Sequence, residues 1–375
     1  METIWFFLWT LLWAVYFILD GFDLGMGTLM PAVARTDMER RIIFNAQGPF
    51  WDGNEVWLIT AGGVTFAAFP NAYAVLFSAL YAPLLILLFC LIFRAVALEF
   101  RNKIENPMWK NVCDLGLFVG SFAPALLLGV AFANLFMGLP IDQNGVYHGN
   151  LLMLLNPYGL AGGVLFVLMF CYHGALWMQL KTEGIMHDRA YAAARVLWPL
   201  LLAAVLGFIC LSAYYTDMYA RISQHPVVWS FLTLAVVGLI GTRLSINGST
   251  IGAWVFSAVF ILGLTFFGVF GMYPGIILSS IDPAYSVTIF NGASSPLTLK
   301  IMLGVTLAAV PVVILYQAWV FWIFRHKVTE DAINSDSHAY EVGIFVGEMI
   351  PRCTRIRNLT AFDNGYAPSG HPIRA

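Results

Sequence analysis

A carboxylate carried to the centre of a membrane helix costs roughly 2.5–3.5 kcal/mol, so acids set inside apolar runs are residues whose presence demands a chemical reason. Two groups of them stand out near the amino terminus. The first is Asp20-Gly-Phe-Asp23-Leu-Gly-Met-Gly27. Its i, i+3 spacing puts both acids near one face of a helix. Gly21, Gly25 and Gly27 would let another helix approach that face closely, which predicts burial against protein and not lipid. The second is Trp51-Asp52-Gly-Asn54-Glu55-Val-Trp57, just after Gly48-Pro49, a natural helix opening. The helix dipole alone accounts for Asp52 in a first turn. Asp23 has no such account: it lies twelve residues before Arg35, roughly 18 Å along a helix, well below the surface that the arginine marks. A surface acid followed by a deeper one suits proton transfer, because each carboxyl can accept a proton and pass it inward. The competing expectation is that these acids pair with basic residues or bond between helices.

Other polar residues inside apolar stretches are few. Arg94 lies within Leu84 to Leu98 and Asp114 opens a later apolar run, so the two are predicted to form an ion pair, with an arginine snorkelling to the interface as the alternative. Of the seven histidines only His173 falls inside a predicted span. A haem usually has an axial histidine, with a pair of ligands facing each other across its plane, so one intramembrane histidine reads as hydrogen-bonded within the bundle. Cys90, Cys113, Cys171, Cys210 and Cys353 show no metal-ligand spacing and read as buried free thiols. No metal is expected in this chain. There is no phosphate loop, H-E-x-x-H or nucleophile elbow.

The elements that must position these residues are membrane helices. The 375 residues are 60% hydrophobic and 11% charged, far from a soluble norm of about 25% charged. Mean hydropathy is +0.78. Net charge is −2, with 19 basic and 21 acidic residues, which excludes the clustered basic excess of a nucleic-acid binder. Apolar runs predict an all-α integral membrane protein of about nine transmembrane helices, at 2–34, 49–68, 72–99, 112–137, 156–181, 188–217, 225–243, 250–278 and 295–324. With nine spans, Arg35, Arg40, Arg41, Arg94, Arg101, Lys103, Lys110, Lys181, Arg189, Arg195, Arg243, Arg325 and Lys327 fall on one side with the adjoining helix ends, while Arg221 and Lys300 fall on the other. Basic residues stay on the cytoplasmic face, so the amino terminus is expected outside and the carboxyl end in the cytoplasm. The first helix lacks the basic leader and cleavage site of a signal peptide and reads as retained. Residues 1–327 form the expected transmembrane domain, and 328–375 a polar, weakly ordered tail.

The string from Asp20 to Gly27, then Glu39-Arg-Arg-Ile42, then Gly48-Pro-Phe-Trp-Asp-Gly-Asn-Glu-Val-Trp-Leu-Ile-Thr-Ala-Gly-Gly63, resembles subunit II of the cytochrome bd quinol oxidases. The likeness continues through Phe93 to Lys103, Gly120 to Pro124 and Leu155 to Leu160, and spans roughly 1–327. The resemblance implies a heterodimer in a bacterial cytoplasmic membrane. Subunit I carries the three haems, and this haem-free subunit supports quinol oxidation coupled to reduction of dioxygen to water. It further implies that Asp23 and Asp52 lie on a proton path from the cytoplasm, with Glu55 beside them, and that Trp51 contacts a structural quinone. A small accessory subunit and membrane lipid complete the expected partners. The rival from another class is an ion-coupled secondary transporter, for which intramembrane acids, glycines and prolines are also marks.

Overall fold

The computed structural model describes residues 1–335. Fourteen helices follow one another: α1 (Glu2–Val33), α2 (Asp37–Gln47), α3 (Trp51–Ala68), α4 (Pro70–Ala79), α5 (Tyr81–Phe100), α6 (Pro107–Met137), α7 (Leu151–Leu154), α8 (Pro157–Lys181), α9 (Gly184–Tyr215), α10 (Met218–Ser223), α11 (Val228–Ser245), α12 (Thr250–Phe270), α13 (Pro296–Ile323) and α14 (Glu330–Ser335). Between α12 and α13, β1 (Gly275–Ile277) pairs antiparallel with β2 (Val287–Thr288). Three long helices open on the same device, a polar cap followed by proline. Asn106 accepts from Met108 N–H, Asn156 from Gly159 N–H and Ser295 from Thr298 N–H, each just before the proline that starts α6, α8 and α13. Proline fits there because its missing N–H is an orphan in any first turn.

Eight helices in the described residues are long and apolar enough to cross a membrane: α1, α5, α6, α8, α9, α11, α12 and α13. The expected span at 49–68 forms α3, a helix outside that set because it opens on Asp52, Asn54 and Glu55. The expected span at 72–99 is broken at Leu80 into α4 and α5. Pro83 explains the break, since its ring clashes with the carbonyl four residues back, at Ala79 where α4 ends. The expected helix 250–278 ends at Phe270, and Gly271 to Pro274 turn the chain into β1. α1 is central, packing against α3, α6, α8 and α12, while α11 and α12 form a close pair. By contrast, Leu299 is the only fully buried residue of α13.

The connections gather at two ends. At one end Arg189 Nη1 donates to the Val33 carbonyl at 2.9 Å, Tyr191 donates to Asn247 at 2.7 Å, and Lys181 donates to the Phe324 and His326 carbonyls. The predicted tail starts there in a held conformation: Val328 N–H donates to Lys181 O at 2.8 Å, and Ile333 of α14 is buried beside α2. Arg352, Cys353, Arg355 and Arg357 lie outside the described residues. At the other end Leu139 bridges to Ser279, and Arg221 Nε donates to the Gly271 carbonyl at 3.0 Å.

α2 begins with a reciprocal cap in which Glu39 N–H donates to Thr36 Oγ1, while Glu39 Oε2 accepts from Thr36 N–H at 3.1 Å and from Arg189 at 2.9 Å. Burial alone would raise the Glu39 carboxyl, but the Arg35 and Thr36 amides and the Arg189 guanidinium outweigh it and hold the pKa below the usual glutamate value. A depressed carboxyl stabilises the fold above its unfolded pKa and ceases to do so as pH falls through the folded one. Glu39→Gln is therefore expected to cost about 1 kcal/mol at pH 7 and progressively less below about pH 4.5. Thermal unfolding of both forms at pH 7 and pH 4 checks this; an equal gap at both values contradicts it.

Candidate functional site

The acids of α1 meet Arg94 in the middle of the bundle. Asp20, Asp23 and Arg94 are all 0% exposed. Arg94 reaches from α5 to put Nη2 2.5 Å from Asp20 Oδ1 on α1 and 3.3 Å from Glu55 Oε2 on α3. A single guanidinium nitrogen thus ties α1 and α3 to α5. Close approach of α6 depends on Gly120, where a Cβ would stand 2.6 Å from the Cys90 carbonyl and 2.8 Å from Arg94 Cβ.

Asp23 lies one turn beyond Asp20. Its Oδ2 accepts a hydrogen bond from Asn54 Nδ2 at 2.7 Å, and that nitrogen also donates to the Leu19 carbonyl at 3.2 Å. Asn54 Oδ1 accepts from Gln317 Nε2 of α13 at 3.0 Å, and Gln317 Oε1 accepts from Trp57 Nε1 at 2.8 Å. Glu55 is half-buried. Asp52 is exposed, one helical turn before Glu55 on the same face of α3. Trp51, the first residue of α3, is half-buried against the cluster that holds Phe44, Phe50 and Trp177.

The structure pairs Glu55 and Asp20 with Arg94, sets Asp23 one turn away against Asn54, the neighbour of Glu55 on α3, and places Asp52 and Trp51 at the start of that helix. It does not pair Arg94 with Asp114. Asp114 takes Arg101 Nε at 2.6 Å and Arg40 Nη1 at 2.8 Å, and Arg101 also reaches Asp37 at 2.8 Å. The α5/α6 register is the reason: Arg94 stands beside Gly120, six residues and roughly 9 Å further along α6 than Asp114. Asp20 as the close partner of Arg94, and Asn54 and Gln317 as ligands of the acid network, were missed. The available signal for Gln317 was a lone amide in the apolar run from Thr306 to Ile323.

His173 has both ring nitrogens engaged, Nε2 with the Ile18 carbonyl at 3.0 Å and Nδ1 with Ser257 Oγ at 2.9 Å. The carbonyl can only accept, so Nε2 carries the proton and Nδ1 accepts from serine. The residues present do not fit an axial haem ligand here. Among the described residues no group of three or more His, Cys, Asp or Glu could hold a metal ion. Cys90, Cys113 and Cys171 are buried free thiols, but Cys210 is exposed.

A bundle of long apolar helices that confines an arginine and several acids to one internal network is a membrane protein built to handle charge within hydrocarbon. The chain belongs to the family described as cytochrome bd terminal oxidase subunit II, whose profile matches residues 1–324. It is 36% identical over 331 residues to cytochrome bd ubiquinol oxidase subunit 2 of Bacillus subtilis, covering 88% of this chain and 97% of the relative. It is also 36% identical over 375 residues to cytochrome bd-I ubiquinol oxidase subunit 2 of Escherichia coli, covering 89% and 97%. The fold matches the bd oxidase from Geobacillus thermodenitrificans with a TM-score of 0.68 at 18% identity, over 86% of this chain and 98% of that one. Membership makes the chain a subunit of a quinol oxidase in a bacterial inner membrane, with subunit I as partner and haems in the complex. The ion-coupled carrier is set aside.

Proposed function

We propose that this chain is the haem-free subunit of the oxidase and supplies protons to dioxygen reduction through Asp52, Glu55 and Asp23, entering from the cytoplasmic face. The carrying observation is the graded burial of these acids: Asp52 exposed, Glu55 half-buried one turn later and paired with Arg94, and Asp23 fully buried against Asn54, the residue before Glu55. Three carboxyls, Asp20, Asp23 and Glu55, gather around one guanidinium, leaving the network short of positive charge that a bound proton supplies. The clustering of loops rich in Arg and Lys at the α2 end supports a cytoplasmic placement of that end, with the amino terminus outside and about nine crossings. A bound quinone would contribute ring and prenyl packing, and Trp51 offers an indole face at the α3 edge for it. The haems belong to the partner, in keeping with a His173 whose nitrogens are both occupied.

The test is quinol-driven oxygen uptake by the complex purified through this chain, with a reduced-minus-oxidised visible spectrum and an assay of bound quinone. Asp23→Asn and Asp52→Asn are each expected to slow uptake by about 10²-fold, the lower end of the 10²–10⁴-fold contribution of a positioned proton-transfer group, while leaving the haem bands intact. Trp51→Ala is expected to lower quinone content. Full turnover in both acid variants and in their double variant would remove the proton path from this chain.

A further inference from the structure

The amide orientations between Trp57 and Asp23 are fixed from both ends. An indole N–H donates and cannot accept, so the Gln317 atom 2.8 Å from Trp57 Nε1 has to be its carbonyl oxygen. The Gln317 nitrogen then faces Asn54 Oδ1 at 3.0 Å, with the Gly53 carbonyl at 3.5 Å. At the far end the Leu19 carbonyl accepts and cannot donate, so the Asn54 group beside it at 3.2 Å is the amide nitrogen. That same nitrogen donates to Asp23 Oδ2 at 2.7 Å. Flipping Gln317 would set donor against donor at Trp57 and acceptor against acceptor at Asn54. Flipping Asn54 would set its oxygen against the Leu19 carbonyl and the Asp23 carboxylate.

α13 reaches this network through one side chain. From Pro311 to Trp319 Gln317 alone is not exposed, and an amide in an apolar helix is a burden that leucine would avoid. At its target, Asp23 Oδ1 is buried with no hydrogen-bond partner among the described residues. A proton arriving on Oδ2 would meet the Asn54 N–H, donor against donor, whereas Oδ1 is open to it. We propose that Gln317, oriented by Trp57, is a positioning residue that locks Asn54 as a donor to Asp23 Oδ2 and so assigns proton uptake and release to Oδ1. This inference rests on the proton-path reading and adds to it a direction at the atom.

The experiment is infrared difference spectroscopy of the intact purified complex, with the Asp23 carboxyl band identified by its loss in Asp23→Asn. Gln317→Met removes both amide bonds at similar volume, and Trp57→Phe removes the orienting N–H while keeping an aromatic ring. Each is expected to shift the Asp23 band and slow oxygen uptake about tenfold, the scale of one lost hydrogen bond to a charged group, with haem bands unchanged. A Gln317 that merely pins α13 would lower assembly yield and leave the band in place. A stationary band in Trp57→Phe overturns the proposal even if Gln317→Met fails to assemble. Full turnover in Asp23→Asn would instead defeat the proton path, while the band shift would still report whether the amides orient the carboxyl.

Discussion

Arg94→Leu is expected to destabilise the chain by about 3–5 kcal/mol, the usual cost of removing one member of a buried ion pair. The reason is what it strands. Asp20, 2.5 Å from Nη2 and itself 0% exposed, would be left facing Glu55 and Asp23 with no cation between them. Against a total stability of about 5–15 kcal/mol, that loss should be visible as poor recovery of assembled complex and a lower thermal midpoint in detergent. Arg94→Lys should rescue much of it, because Nη2 alone reaches both Asp20 and Glu55, and an ammonium placed there keeps the charge between them. Combining Arg94→Leu with Asp20→Asn removes the stranded charge, so the pair should cost less than the sum of its parts, with a coupling of about 0.5–3 kcal/mol. Strict additivity would mean that the two side chains do not depend on each other.

The parts of the site legible in the sequence were those written locally. Asp20 and Asp23 share a face because of their spacing, and Gly21 and Gly25 announce a buried contact, which α8 provides through Phe170. Asp52 and Glu55 likewise share a turn of α3. The ion-pair partner of Arg94 was not legible, because Asp20 and Asp114 both lie at plausible depth and the choice depends on how α5 and α6 are staggered. Gln317 lies 263 residues from Asn54, and no local pattern joins them. Helix ends failed for a related reason. Hydropathy runs unbroken through Leu80 and past Phe270, whereas the backbone obeys Pro83 and the Gly271 to Pro274 turn. Trp5 and Trp9 show the same limit: nothing local announces that both are buried, bonded to the Leu299 carbonyl and Thr65 Oγ1.

The same substitution should have opposite signs at Gly174 and Gly207, and the difference measures how much of the site depends on the α1/α8 crossing. At Gly174 of α8 a Cβ would lie 2.6 Å from Met26 N, 2.7 Å from the Gly25 carbonyl carbon and 2.8 Å from Phe22 O. These are backbone atoms of α1 and cannot rotate aside, so the helices must part. Overpacking a core costs about 1–3 kcal/mol where side chains can adjust, and Gly174→Ala should fall at or above the top of that range. Since Phe22 and Met26 bracket Asp23, the displaced backbone carries the carboxyl away from Asn54, so oxygen uptake in whatever complex survives should fall as well. Gly207 of α9 has nothing within 4 Å of its Cβ position among the described residues. There Gly207→Ala should be neutral or stabilising by up to about 1 kcal/mol, the helix propensity gained with no contact to spoil. Thermal midpoints of the two variants in one detergent decide the matter. If Gly174→Ala melts with Gly207→Ala, the two helices have room to separate, and the position of Asp23 must be held by its hydrogen bond to Asn54 and not by the crossing.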